Sequence, residues 1–186
     1  MSQTPLKIID LSDQLPINRK VSGGTRELTK IDTIVVHCTD AYMEGSLAQY
    51  ARNLAYYDIG PNHISSTGCE GITYHRLISQ AGEIALTAPL ESVRWHTYGM
   101  NKRSIGIALC YKVRSSKKRK NEELPSPQML DACARYCANL SKVLGKKLIL
   151  VGHRECPSNS KECPGYDVDL DKLRTRYDEY CKQLNV

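Results

Sequence analysis

Apolar residues along this 186-residue chain fall into short blocks separated by Gly, Pro and charged positions. TIVVHCT, 33–39, is a dense β-branched run and predicts a buried strand. SLAQYARNLAYYDIG, 46–60, carries apolar residues at helical spacing and ends on Gly, which predicts a helix. GITYHRLIS, the turn QAG and EIALTAP read as strand, tight turn and strand. SIGIALCYKV, 104–113, predicts another buried strand.

SPQMLDACARYCANLSKVLG, 126–145, gives the clearest helix. Ser126 suits its N-cap, Pro127 its first turn and Gly145 its stop. Met129, Cys133, Tyr136, Cys137, Leu140 and Leu144 form its apolar stripe. KLILVGHRE, 147–155, predicts a strand, and DLDKLRTRYDEYCKQL, 169–184, a last helix. Alternating strands and helices with a central hairpin imply an α/β fold, a single domain with a mixed central sheet flanked by helices. Residues 1–30 are polar apart from KIIDL and read as an N-terminal arm packed on a domain spanning 31–186.

Composition changes the picture little, because 41% hydrophobic and 25% charged residues are ordinary for a globular chain. The N-terminus lacks the apolar core of a signal peptide, and no run approaches the ~20 apolar residues of a membrane span. Synthesis in the cytoplasm without a cleaved leader is therefore expected, with no stable membrane insertion. In that compartment the eight Cys stay reduced. Cys133 and Cys137, one helical turn apart, and Cys110 read as small core residues.

Net charge is +6, concentrated in KVRSSKKRK, 112–120. Such a run is either a solvated loop or an attraction to something polyanionic. No aromatic residues interleave with it and no nucleic-acid motif accompanies it, so a nucleic-acid-binding role is excluded.

The candidate chemistry lies in the histidines and in GHRECPSNSKECPG, 152–165. His37 and His153 each end a β-branched strand, and strand ends converge on one edge of a sheet, where ligands bind in open α/β folds. Cys163 follows His153 by ten residues in a loop broken by two Pro; Cys156, three residues on, is its rival. Two imidazoles and a thiolate form a three-ligand zinc site with an open fourth position, able to acidify water and polarise a carbonyl. Each of these residues taken singly also fits a purely structural role.

Four blocks in order resemble the zinc-dependent N-acetylmuramoyl-L-alanine amidases, a family that includes phage lysozyme-amidases and peptidoglycan recognition proteins. They are IVVHCT, GITYHRLISQAGEI, APLESVRWHTYGMNKRSIGIAL and GHRECPSNSKECPGYDVD, spanning residues 31 to 170. The resemblance implies that His37, His153 and Cys163 bind Zn2+. It implies that Lys161 stabilises the oxyanion, and that Tyr74 orients or deprotonates the attacking water or donates to the oxyanion. By the same resemblance His96 lines the substrate groove; Arg94, Asn101 and Arg103 are further candidate contacts read from the sequence. The bond cut would be the amide between N-acetylmuramic acid and L-alanine of peptidoglycan.

Alternation along a regular strand sends Tyr74 and His75 to opposite faces, and Tyr74 is the one assigned to the site. His63 in GPNHIS matches no block and reads as a surface residue. Ala108 stands where the recycling amidases of the family carry a Glu base, which leaves more of the implied mechanism to Tyr74 and Lys161. The expectation is a monomeric phage or prophage endolysin, or a delivered cell-wall toxin, acting on the wall after release. The alternative is a non-catalytic peptidoglycan-binding or regulatory module.

Overall fold

A computed structural model describes residues 5–113, 124–157 and 162–186. Its sheet has six strands: β1 Ile8–Asp10, β2 Thr33–Cys38, β3 Arg76–Ile78, β4 Ile84–Leu86, β5 Ser104–Leu109 and β6 Ile149–Gly152. Their order is β1-β4-β3-β5-β2-β6. The β3–β4 hairpin is antiparallel and every other pairing parallel, so the sheet is mixed, as the alternation of elements predicts. The N-terminal arm does more than lie over the domain, since Ile8–Asp10 enter the sheet as an edge strand beside β4.

Three helices cover the two faces: α1 Leu47–Ile59, α2 Pro127–Val143 and α3 Leu170–Leu184. Each begins on a side-chain cap. Ser46 accepts from the Gln49 N–H, Ser126 from Met129 and Asp169 from Lys172, satisfying donors the first turn leaves orphaned. Gly145, at φ +67°, follows α2, and the Lys146 N–H bonds back to the Ser141 carbonyl.

The period-two alternation of the strands divides the core. Ile34, Val36, Ile105, Ile107 and Leu109 pack with Met129, Cys133, Cys137 and Leu140 of α2 and with Leu173, Tyr177 and Cys181 of α3. Ala108, Leu77 and Ala85 pack on the other side with Leu47, Tyr50, Ala51 and Ala55 of α1. His37 is opposite Ala108 in the β2–β5 register. The central strands are thus buried on both faces, and their C-terminal ends carry the candidate chemistry.

Several predicted strands are shorter than their apolar runs; in 83–89 and 104–113 pairing stops at Leu86 and Leu109. Residues 71–75 precede β3 rather than forming part of it. The Thr73 N–H is taken by the Asp58 carboxylate of α1 instead of by a neighbouring strand. In 147–155, pairing ends at Gly152, and His153–Glu155 turn as a 3-10 helix. Among the described residues no helix is long and apolar enough to cross a membrane. Most of the basic run lies in 114–123, outside the described residues; Lys112 is paired with Asp40.

Candidate metal centre

β2 and β6 are parallel neighbours, and their last paired residues are Val36 and Gly152. His37 and His153 come next on each chain, and their rings lie 4.4 Å apart. The third member arrives on the loop after His153. The Arg154 N–H donates to the Cys163 carbonyl at 2.7 Å. Its guanidinium donates to the carbonyls of Gly165 and Val168 at 2.6 and 3.0 Å. The Tyr111 hydroxyl donates to the Pro164 carbonyl. These bonds fold the segment back onto the sheet edge. The donor atoms of His37, His153 and Cys163 consequently all lie within 4.8 Å of one another.

The electrostatics of this cluster suit a cation. Cys163 Sγ receives hydrogen bonds from the Cys38 thiol at 3.7 Å and the Cys38 N–H at 3.3 Å. The hydrogen bond from the Cys38 thiol holds the Cys163 thiol below its ordinary range, against the opposing effect of burial. The same hydrogen bond and burial hold the Cys38 thiol above its ordinary range. Cys163 Sγ is 3.8 Å from His37 Nδ1, near the ~3.6 Å separating N and S ligands on a tetrahedral zinc. Two imidazoles and one thiolate are a donor set zinc accepts, so the residues present fit the ion.

Cys156 is excluded from this cluster. It is buried, and its thiol turns to the Gly152 carbonyl at 3.7 Å. Cys38 also stays outside the three-residue group, although its sulfur touches Cys163.

Tyr74 flanks the cluster, with its ring 5.2 Å from that of His37. Its carbonyl is tied to the Thr87 hydroxyl at 2.7 Å, which fixes the backbone just ahead of β3. Burial raises the phenol well above its ordinary range, and the neighbouring Cys163 adds to this. His75 faces elsewhere. It accepts from the Gly106 N–H at 3.0 Å, meets the Ser92 carbonyl at 3.0 Å and packs against the buried guanidinium of Arg26. Burial keeps His75 neutral by lowering its pKa well below the usual range. His63 is exposed.

The four expected substrate contacts are placed as follows. His96 is 7% exposed and lies behind His37, with its Nδ1 3.1 Å from His37 Nε2. Arg94 is mostly buried and turns toward Glu70, 4.0 Å away. The Asn101 carboxamide accepts from the Thr97 N–H and serves the turn that carries His96. Arg103 forms an ion pair with Asp32, just before β2, at the opposite end of that strand from His37. A resemblance in sequence gives no side-chain direction: Asn101 and Arg103 are taken by partners within the fold, while Arg94 Nε and Nη1 are buried without a hydrogen-bond partner. Lys161 lies outside the described residues.

Sequence reasoning missed Arg154, Tyr111 and Cys38, which hold or tune the Cys163 loop. Arg154 and Cys38 each directly follow a candidate ligand, which was the available signal. Ala108 places a methyl group opposite His37, so that position offers no carboxylate base.

A family model described as N-acetylmuramoyl-L-alanine amidase matches residues 27–166. No curated protein matches the sequence. Among solved structures, the chain resembles N-acetylmuramoyl-L-alanine amidase LysC from Clostridium intestinale, at 22% identity and a TM-score of 0.66, covering 94% of this chain and 99% of that one. It resembles bumblebee PGRP-SA at 18% identity and a TM-score of 0.72, covering 91% and 95%. It also resembles peptidoglycan recognition protein-LE in complex with tracheal cytotoxin, a monomeric diaminopimelic acid-type peptidoglycan, at 23% identity and a TM-score of 0.68, covering 90% and 92%.

Proposed function

Because the chain belongs to the N-acetylmuramoyl-L-alanine amidase family, we propose that it is a zinc-dependent amidase that cuts peptidoglycan between N-acetylmuramic acid and L-alanine. The observation that carries this reading is the convergence of His37, His153 and Cys163 on one sheet edge. Relatives that bind without cutting remain the second reading, and the intact three-donor set favours catalysis over it.

Zinc, when bound, supplies a Lewis acid that acidifies water and polarises the scissile carbonyl. The chain's residues do the rest. His37, His153 and Cys163 hold the ion. Tyr74, kept protonated by burial, acts as a hydrogen-bond donor to the developing oxyanion rather than as a base. Lys161, two residues before Cys163, adds a positive charge for the same oxyanion. With Ala108 opposite His37, no carboxylate at that position shares the proton transfers.

Peptidoglycan is the proposed partner. This is supported by the family, and by the monomeric diaminopimelic acid-type peptidoglycan named for the recognition protein-LE structure. The proposed setting is an endolysin or a delivered wall toxin that acts as a monomer outside the compartment of its synthesis.

The test uses a defined muramyl peptide and mass spectrometry. Zinc-loaded protein should release the free peptide with an N-terminal L-alanine and intact N-acetylmuramic acid. Tight binding without any release would favour the non-catalytic reading.

A further inference from the structure

We infer that His96 is a positioning residue: it holds His37 in the one tautomer whose Nδ1 lone pair faces the metal centre. The inference rests on the zinc reading above and adds to it the reason why His37 is a competent ligand.

The argument starts at Ser104. Its hydroxyl donates its single proton to the Met100 carbonyl at 2.8 Å. Toward His96 both Ser104 oxygens therefore present only lone pairs, the hydroxyl at 3.3 Å and the carbonyl at 3.4 Å from His96 Nε2. The proton of the His96 ring accordingly sits on Nε2, because a lone pair there would face two others. His96 Nδ1 is then an acceptor. It faces His37 Nε2 at 3.1 Å and the Thr97 hydroxyl at 3.0 Å. Thr97 Oγ1 is in turn 3.3 Å from His37 Nε2.

Two arrangements of protons satisfy this triangle. Either the His37 Nε2–H donates to His96, or it donates to Thr97 while Thr97 donates to His96. Both put the proton of His37 on Nε2. Its Nδ1 is left as a lone pair on the side of Cys163 Sγ, 3.8 Å away. Metal-binding histidines commonly depend on an acceptor for their second N–H, which sets tautomer and ring orientation.

The acceptor is held rigidly. A Cβ at Gly106 would come within 2.6 Å of His96 Cγ, so the ring lies directly on the β5 backbone. The Thr97 N–H is fixed by Asn101 Oδ1 at 2.8 Å. The stretch WHTYGMNKRS, 95–104, thus works as one bracket behind β2.

The test labels the histidines of the full chain with 15N and reads ring tautomers by long-range proton–nitrogen correlation in metal-free protein, alongside zinc affinity by chelator competition. His37 should show Nε2–H. His96→Leu, which removes the acceptor at similar volume, should mix the His37 tautomers and weaken zinc binding about 10- to 100-fold. His96→Gln, whose carboxamide can accept from His37 and donate to Ser104, should recover most of that loss. Thermal melts of both variants identify any loss of fold, and the tautomer in the unmodified chain decides the matter independently of them. Nδ1–H at His37 in a chain that binds zinc contradicts the role of His96 alone. Nε2–H in a chain that takes up no zinc contradicts the metal reading, and with it the purpose assigned to His96. A folded His96→Leu variant with unmodified zinc affinity also overturns the inference.

Discussion

His37 and His153 occupy matching positions on neighbouring parallel strands, each one residue beyond the paired Val36 and Gly152, with rings 4.4 Å apart. Sheet register alone therefore brings two of the three donors together. Gly152 keeps this edge closed, since a Cβ there would come within 2.5 Å of Leu170 Cδ1 and 3.1 Å of Pro164 Cδ. Gly152→Ala is expected to cost about 1–3 kcal/mol through overpacking. By pushing on Pro164 it should also lower zinc affinity. Chemical denaturation and chelator competition read the two effects, and an unchanged unfolding midpoint would contradict the close packing.

The identity of the sulfur ligand separates two cysteines that sequence spacing leaves in competition. Cys163→Ala is expected to lose bound zinc and activity together. Cys156→Ala should keep both, because its thiol is turned to the Gly152 carbonyl. Metal content by atomic spectroscopy, measured beside turnover, checks this. Zinc at full occupancy in Cys163→Ala would reject the assignment.

Tyr74 and Lys161 are assigned to the transition state rather than to the metal. Tyr74→Phe and Lys161→Ala should each retain zinc and bind wall fragments. Each should lose about 10²–10³-fold in kcat, the usual consequence of deleting an oxyanion donor. A variant with unaltered kcat would make that residue a bystander.

Asp58 gives a pH signature unrelated to the metal. Burial pushes its carboxyl up to about 6, against hydrogen bonds from the Thr73 N–H and hydroxyl. An unfolded Asp titrates near ~3.9. Between those values the folded state binds the extra proton, so this group's destabilising effect is full above about pH 6 and disappears below about pH 4. On going from pH 7 to pH 4, the wild type should gain on the order of 2–3 kcal/mol relative to Asp58→Asn. Urea unfolding of both chains at each pH measures the difference, in which other titrating groups cancel. A gap independent of pH would show that Asp58 is ionised freely in the fold.

Much of this was legible in the residues. β-branched runs announced β2 and β5, and the caps Ser126 and Pro127 marked α2, because local chemistry dictates those features. The positions of His37, His153 and Cys163 followed from strand ends and a Pro-containing loop. Side-chain direction did not follow. His96 turned inward because Gly106 leaves room for its ring, and Arg103 was taken by Asp32; both are contacts between segments distant in sequence or separated by a turn. The edge strand Ile8–Asp10 has three residues, too few for alternation to reveal. The shortening of the 71–79 run likewise came from Asp58, a partner on another element.

The most direct test is the metal dependence of wall cleavage. Purified peptidoglycan would be incubated with the zinc-loaded chain, with the chelated chain, and with the chelated chain given zinc again, while newly exposed L-alanine amino groups are counted. The account predicts release in the first sample, none in the second and recovery in the third. Release that persists undiminished after the metal is removed, or no release from walls of several stem-peptide chemistries, would contradict it.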